Sequence, residues 1–121
     1  QHAYAPYSKL RVGAALRATS GAVYAGCNVE NASYSIGGCA ERAAIAAAVQ
    51  AEGAAFRLAA IAVAAFSDTG TPLPVSPCGA CRQALIEFGI EAGVSFRQPD
   101  GSWVEVDVDA LLPYRFILPA Q

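Results

Sequence analysis

Three cysteines in two short motifs constrain this chain more than anything else in it. Cys39-Ala40-Glu41 stands in one segment and Pro77-Cys78-Gly79-Ala80-Cys81 in another, with residues 42–76 between them. If the three thiols share one metal ion, the fold must bring the two segments together. Three thiolates suit one Zn²⁺. A tetrahedral zinc with three protein ligands keeps its fourth position for water, which is the catalytic pattern; a fourth protein ligand would make the site structural. Glu41 follows the first thiol by two residues, close enough to move protons without binding the metal. Cys-x-x-Cys alone also fits a redox pair or half of a closed zinc site with Cys27 as fourth ligand. Within Gly26-Cys27-Asn28, however, a small buried apolar residue on a strand is the ordinary explanation of Cys27.

Both motifs fall at predicted helix starts. Ala40 to Glu52 carries apolar and charged residues at helical spacing and is closed by Gly53; Gly79 to Phe88 is a second helix stopped by Gly89. Unpaired N–H groups and the positive dipole end favour thiolate over thiol at such positions. Val12 to Ala18 and Val23 to Cys27 read as a hairpin around Thr19-Ser20-Gly21, and Asn28 to Gly38 as a polar loop. The apolar run Leu58 to Phe66 predicts a strand buried on both faces. Residues 67–77 hold three prolines and read as a loop. Val94 to Gln98 and Trp103 to Val108 are expected strands around Pro99-Asp100-Gly101, followed by a helical turn at Asp109 to Leu112. This order is α/β, with helices covering a mixed sheet.

With 121 residues, the chain suits one domain spanning residues 1–121, and 55% hydrophobic content supports a full core. Net charge is only −2 and no Lys/Arg run exists, which argues against a nucleic-acid polymer as partner. Gln50, Glu52, Gly53 and Arg57 interrupt the Ala-rich stretch 43–66, so no membrane span is expected. The Cys78–Cys81 spacing and the lack of a secretory pattern at the start favour reduced thiols and a cytoplasmic setting. Gln1 to Ala5 reads as the end of a helix whose beginning is missing. His2 is the only histidine, which removes histidine-based dyads and triads from consideration.

Three thiolates on one Zn²⁺ leave a net charge of −1, which would blunt the metal's ability to acidify water. Arg42 beside Glu41 and Arg82 beside Cys81 are near enough in sequence to offset it. Arg42 is expected to donate hydrogen bonds to ligand sulfurs; the plainer reading of both arginines is a solvated helix residue. In Asn28-Val29-Glu30, residues i and i+2 of an extended segment point to one side, so two polar groups can converge on one hydroxyl.

Cys-x-Glu with Pro-Cys-x-x-Cys is a zinc deaminase signature. The chain resembles the small homotetrameric cytidine deaminases along nearly its full length. The resemblance runs through Tyr4-Ala5-Pro6-Tyr7-Ser8-Lys9, Val12-Gly13-Ala14-Ala15-Leu16, Gly26 to Tyr34, Cys39-Ala40-Glu41-Arg42, Ser76 to Gln83, and Leu111-Leu112-Pro113 with Phe116. It implies an α/β/α layered single domain with a mixed sheet of about five strands, and one Zn²⁺ per chain on Cys39, Cys78 and Cys81. Glu41 would shuttle protons between water, the pyrimidine N3 and the leaving amine. Asn28 and Glu30 would bind the ribose 3′-hydroxyl. The Ala40 N–H would meet the base carbonyl oxygen, and the Ser76 carbonyl would face the amino group, held extended by Pro77. Tyr34 and Phe116 would reach a neighbouring subunit's site, with Phe116 on the pyrimidine. Leu10 stands where the family usually has an aromatic covering the base. The implied activity is hydrolytic deamination of cytidine and 2′-deoxycytidine in pyrimidine salvage, by a homotetramer with shared sites. A deaminase of a cytosine nucleoside analogue, a polynucleotide-editing deaminase and a structural zinc module are the competing readings.

Overall fold

Gly21, at φ +94°, lets the chain turn back on itself between two strands, a conformation that glycine adopts without strain. The strands are β1 (Arg11–Ala18) and β2 (Val23–Cys27), paired antiparallel with Ala15 opposite Ala25. The computed structural model describes residues 3–33 and 37–116. After β2 come α1 (Ala40–Glu52), a short 3₁₀ turn at Gly53–Ala55, β3 (Leu58–Phe66), β4 (Pro72–Leu73), α2 (Gly79–Phe88), β5 (Gly93–Arg97), β6 (Trp103–Asp107) and α3 (Val108–Leu111). Sheet order is β2-β1-β3-β5-β6. β3 and β5 are parallel, joined through α2, and the other pairs are antiparallel, so the sheet is mixed.

The two helices that carry the cysteine motifs share one core. Ala40, Ala44 and Ala48 lie at i, i+4 spacing on the buried side of α1, and Cys81 and Leu85 do the same on α2. The three alanines and Leu85 pack with Ala14, Leu16, Ile61, Val63 and Val94 from the same face of the sheet. Small residues let α1 lie close on β2: a Cβ on Gly26 would come within 2.5 Å of the Ala44 nitrogen and 2.6 Å of the Ala40 carbonyl oxygen. That approach fixes where α1 begins, and therefore where Cys39 and Glu41 stand.

The expectation that β3 is buried on both faces is not met among the described residues. Ile61, Val63 and Ala65 are buried, whereas Ala62 is exposed and Ala60 and Ala64 are only partly covered. A run of apolar residues hides this sidedness; the alternation of larger side chains with alanine carries it. β4 lies where a plain loop was expected. Its Leu73 and Pro72 pair with Ala65 and Phe66, on the edge of β3 beyond the end of β5. Proline is tolerated at such a sheet margin. At the other end of the chain, Ala3 to Ala5 are not helical. Tyr4 bridges Val29, donating to the Asn28 carbonyl at 3.1 Å and accepting from the Glu30 N–H at 2.9 Å. Gln1 and His2 lie outside the described residues.

Candidate active site

Cys39 caps the start of α1 and Cys78 the start of α2, and Cys81 lies in the first turn of α2. Packing both helices on one sheet face brings the three Sγ atoms within 4.8 Å of one another. Cys39 and Cys78 are 4.0 Å apart, and Cys78 and Cys81 3.4 Å. At a Zn–S distance of ~2.3 Å, the edge of a tetrahedron is about 3.8 Å, so these separations suit one tetrahedral zinc. Cys27 is not in the cluster. It stands opposite Gly13 on the sheet face away from the helices, so no fourth cysteine closes the site.

The electrostatics of the thiols also call for a cation. Burial, then the charge of Glu41, pushes the Cys81 thiol well up. At Cys78 partial burial raises the pKa, but the N–H groups of Cys81 and Ala80 and the neighbouring thiols outweigh it, and the net shift is downward. Three thiolates this close repel one another; a divalent cation between them reverses the balance and deprotonates coordinating thiols. Arg42 Nη2 lies 3.7 Å from Cys39 Sγ, where it donates toward the sulfur as expected. Arg82 does something else. Its Nε donates to the Pro77 carbonyl at 2.7 Å and its Nη1 to the Leu111 carbonyl at 2.9 Å, which ties the Cys78 loop to the end of α3.

A cleft of about 640 Å³ opens beside the cluster. Cys39, Ala40, Glu41, Arg42, Ser76 and Cys78 line one side of it, and Leu10, Asn28 and Glu30 another. Glu41 is the one buried charged residue among the described residues, at 4% exposure. Burial raises the pKa of its carboxyl from the usual value, against the opposing pull of Cys81 and Arg42.

On the opposite side, Asn28 and Glu30 both line the cleft and are held by residues 7–12, the turn before β1 and the start of that strand. Asn28 Oδ1 accepts the Val12 N–H at 3.0 Å, and its Nδ2 donates to the Leu10 carbonyl at 2.9 Å. Glu30 Oε1 accepts the N–H groups of Tyr7 and Ser8 at 3.0 and 3.1 Å, and Oε2 accepts the Ser8 hydroxyl. The ordering of Glu30 by Ser8 was not legible from the spacing of motifs. Phe116 is 68% exposed and does not line its own chain's cleft. Tyr34 lies outside the described residues.

Comparison with known proteins agrees with this geometry. The family profile "Cytidine and deoxycytidylate deaminase zinc-binding region" matches residues 1–96. A cytidine deaminase of Sporosarcina psychrophila is 46% identical over 117 residues, covering 96% of this chain and 82% of that protein. The solved structure of cytidine deaminase from Burkholderia pseudomallei superposes with a TM-score of 0.80 at 44% identity, covering 95% of this chain and 88% of the other. That from Mycobacterium tuberculosis gives 0.76 at 39% identity, covering 97% and 87%. With a family profile matching residues 1–96 and cytidine deaminase sequences and structures matching nearly the whole chain, this protein belongs to the zinc-dependent cytidine and deoxycytidylate deaminase family.

Proposed function

We propose that this chain hydrolyses cytidine and 2′-deoxycytidine to uridine and 2′-deoxyuridine with release of ammonia. The observation that carries the reading is the meeting of a three-thiol cluster, a buried Glu41 and the polar side chains of Asn28 and Glu30 at one cleft. Cys39, Cys78 and Cys81 would hold the zinc, which when bound would lower the pKa of a water toward neutrality. Glu41 would take a proton from the attacking water and deliver it to N3 of the pyrimidine as the water oxygen bonds to C4. A second proton passes through the same carboxylate to the amino nitrogen, which leaves as ammonia. A group that both accepts and donates near neutrality needs a raised pKa, as burial gives Glu41. The Ala40 N–H, in the first turn of α1, would meet the base carbonyl, and the Ser76 carbonyl would face the amino group.

On the sugar side, Asn28 keeps one amide hydrogen and Glu30 Oε2 one lone pair after their contacts within the described residues. One hydroxyl can accept from the first and donate to the second, which suits the ribose 3′-hydroxyl. Exposed Tyr114 and Phe116 favour a homotetramer in which neighbours share sites, Phe116 packing on a neighbour's pyrimidine. Tyr34 is assigned to the same shared site from sequence alone. A cytoplasmic role in pyrimidine salvage completes the reading. No helix among the described residues is long and apolar enough to cross a membrane.

The test is the loss of cytidine absorbance on mixing with zinc-replete protein, with free cytosine as control. Rapid conversion of cytidine and slow conversion of cytosine is the expected outcome. Equal specificity constants for the two would overturn the sugar-side assignment, and no conversion of cytidine would overturn the activity.

A further inference from the structure

Between Ala5 and Leu10, just ahead of β1, the chain makes a tight turn. The Lys9 N–H closes it on the Ala5 carbonyl at 3.1 Å, and Lys9 adopts φ +62°, a left-handed conformation that non-glycine residues rarely hold. Such conformations persist where surrounding contacts enforce them, and they gather at functional sites. Three of the contacts that hold the turn, from the Tyr7 and Ser8 N–H groups and the Ser8 hydroxyl, end on Glu30 in the sugar-side wall of the cleft.

The hydrogen bonds form a closed circuit. The N–H groups of Tyr7 and Ser8 go to Glu30 Oε1, and the Ser8 hydroxyl goes to Oε2. The Leu10 N–H donates to Ser8 Oγ at 3.0 Å. Because that N–H occupies a lone pair of the hydroxyl, the Ser8 proton is left to point at Glu30. Leu10 then accepts from Asn28 through its carbonyl. One serine side chain therefore joins Glu30 to the segment that holds Asn28. The two N–H donors to Glu30 belong to the backbone and survive substitution; the hydroxyl does not.

We propose that Ser8 is a positioning residue for substrate sugar: its hydroxyl, held by the Leu10 N–H, orients the Glu30 carboxylate toward the nucleoside 3′-hydroxyl. The inference rests on the reading that Asn28 and Glu30 bind that hydroxyl. The Ser8 hydroxyl is also the largest influence lowering the Glu30 carboxyl from its usual value.

The experiment measures kcat/KM of wild type, Ser8→Ala, Ser8→Thr and Glu30→Gln with 2′-deoxycytidine and with 2′,3′-dideoxycytidine. A hydrogen bond to a charged group is expected to be worth roughly ten- to a hundredfold, so Ser8→Ala should lose about that much on 2′-deoxycytidine. On the dideoxy substrate, which lacks the 3′-hydroxyl, it should lose less than about twofold, because the interaction it supports is already absent. Ser8→Thr, which keeps the hydroxyl, should stay near wild type. Equal losses by Ser8→Ala on both substrates, or none on either, would overturn the proposal and leave Ser8 a turn residue. The ratio is taken within each protein, so a less stable variant still reports. If Glu30→Gln instead loses equally on both substrates, the assignment of Glu30 to the 3′-hydroxyl fails, and the Ser8 proposal falls with it.

Discussion

On one side of the cleft, Cys39, Glu41, Cys78 and Cys81 stand on the first turns of two helices whose buried faces are locked into the main core. On the other, Asn28 and Glu30 follow the end of β2 in a segment without regular structure, and their orientation depends on hydrogen bonds to residues 7–12. The first side takes its geometry from packing, which resists small displacements. The second takes it from polar contacts in partly exposed surroundings, where water competes and each bond contributes modestly. Substitutions on the helix side should therefore remove chemistry outright, and those on the loop side should scale it.

The largest expected effect is that of Cys78→Ala. Losing one of three thiolates should strip the metal and abolish turnover, and elemental analysis beside a rate assay checks both. Full zinc occupancy in that variant would break the contrast by removing Cys78 from the ligand set. Next comes Glu41→Gln, which should keep zinc and fold while losing at least ~10²–10⁴-fold in kcat, since the role proposed for it spans more than one proton transfer. Near-normal turnover in zinc-loaded protein would contradict its role. Gly26→Ala probes the packing behind the helix side. The added methyl would meet the backbone of α1 at Ala44 and Ala40. Overpacking of this kind should lower stability by about 1–3 kcal/mol, read from denaturant unfolding. An unchanged midpoint would mean that α1 can shift away from β2 freely.

The smallest effect belongs to the loop side. Leu10 lines the cleft and is half-buried. Replacing it with phenylalanine should lower KM for cytidine by roughly 2- to 12-fold, since an aromatic pair adds ~0.5–1.5 kcal/mol beyond burial. Because stacking stabilises bound substrate and transition state alike, kcat should barely change. A lower melting temperature with unaltered KM would place Leu10 in packing rather than against the base.

The same contrast governs what the sequence made legible. β2, α1, β3 and α2 have the bounds read from their residues, because Gly53, Gly89 and the Gly21 turn punctuate them locally. The thiol cluster was equally legible, since helix starts and Cys-x-x-Cys spacing are local signals. β4 was not, because Pro72 and Pro74 argue for a loop and its pairing to β3 is a tertiary event. Nor was the open alanine face of β3, which depends on where the helices settle. Arg82 is the instructive case. Its neighbour Cys81 drew attention to the thiols, yet its guanidinium meets two carbonyls, one of them at Leu111, far along the chain. The Ser8–Glu30 contact escaped for the same reason: no periodicity links a turn near the start of the chain to a carboxylate after β2.

The central claim is that the thiol cluster and Glu41 form a hydrolytic zinc centre for cytidine. The most direct measurement titrates zinc back into chelator-stripped protein and follows uridine and ammonia released from cytidine. The account predicts equal amounts of the two products, at a rate that rises linearly and saturates at one zinc per chain. Turnover that is indifferent to zinc, or zinc-replete protein that releases no ammonia, would contradict it.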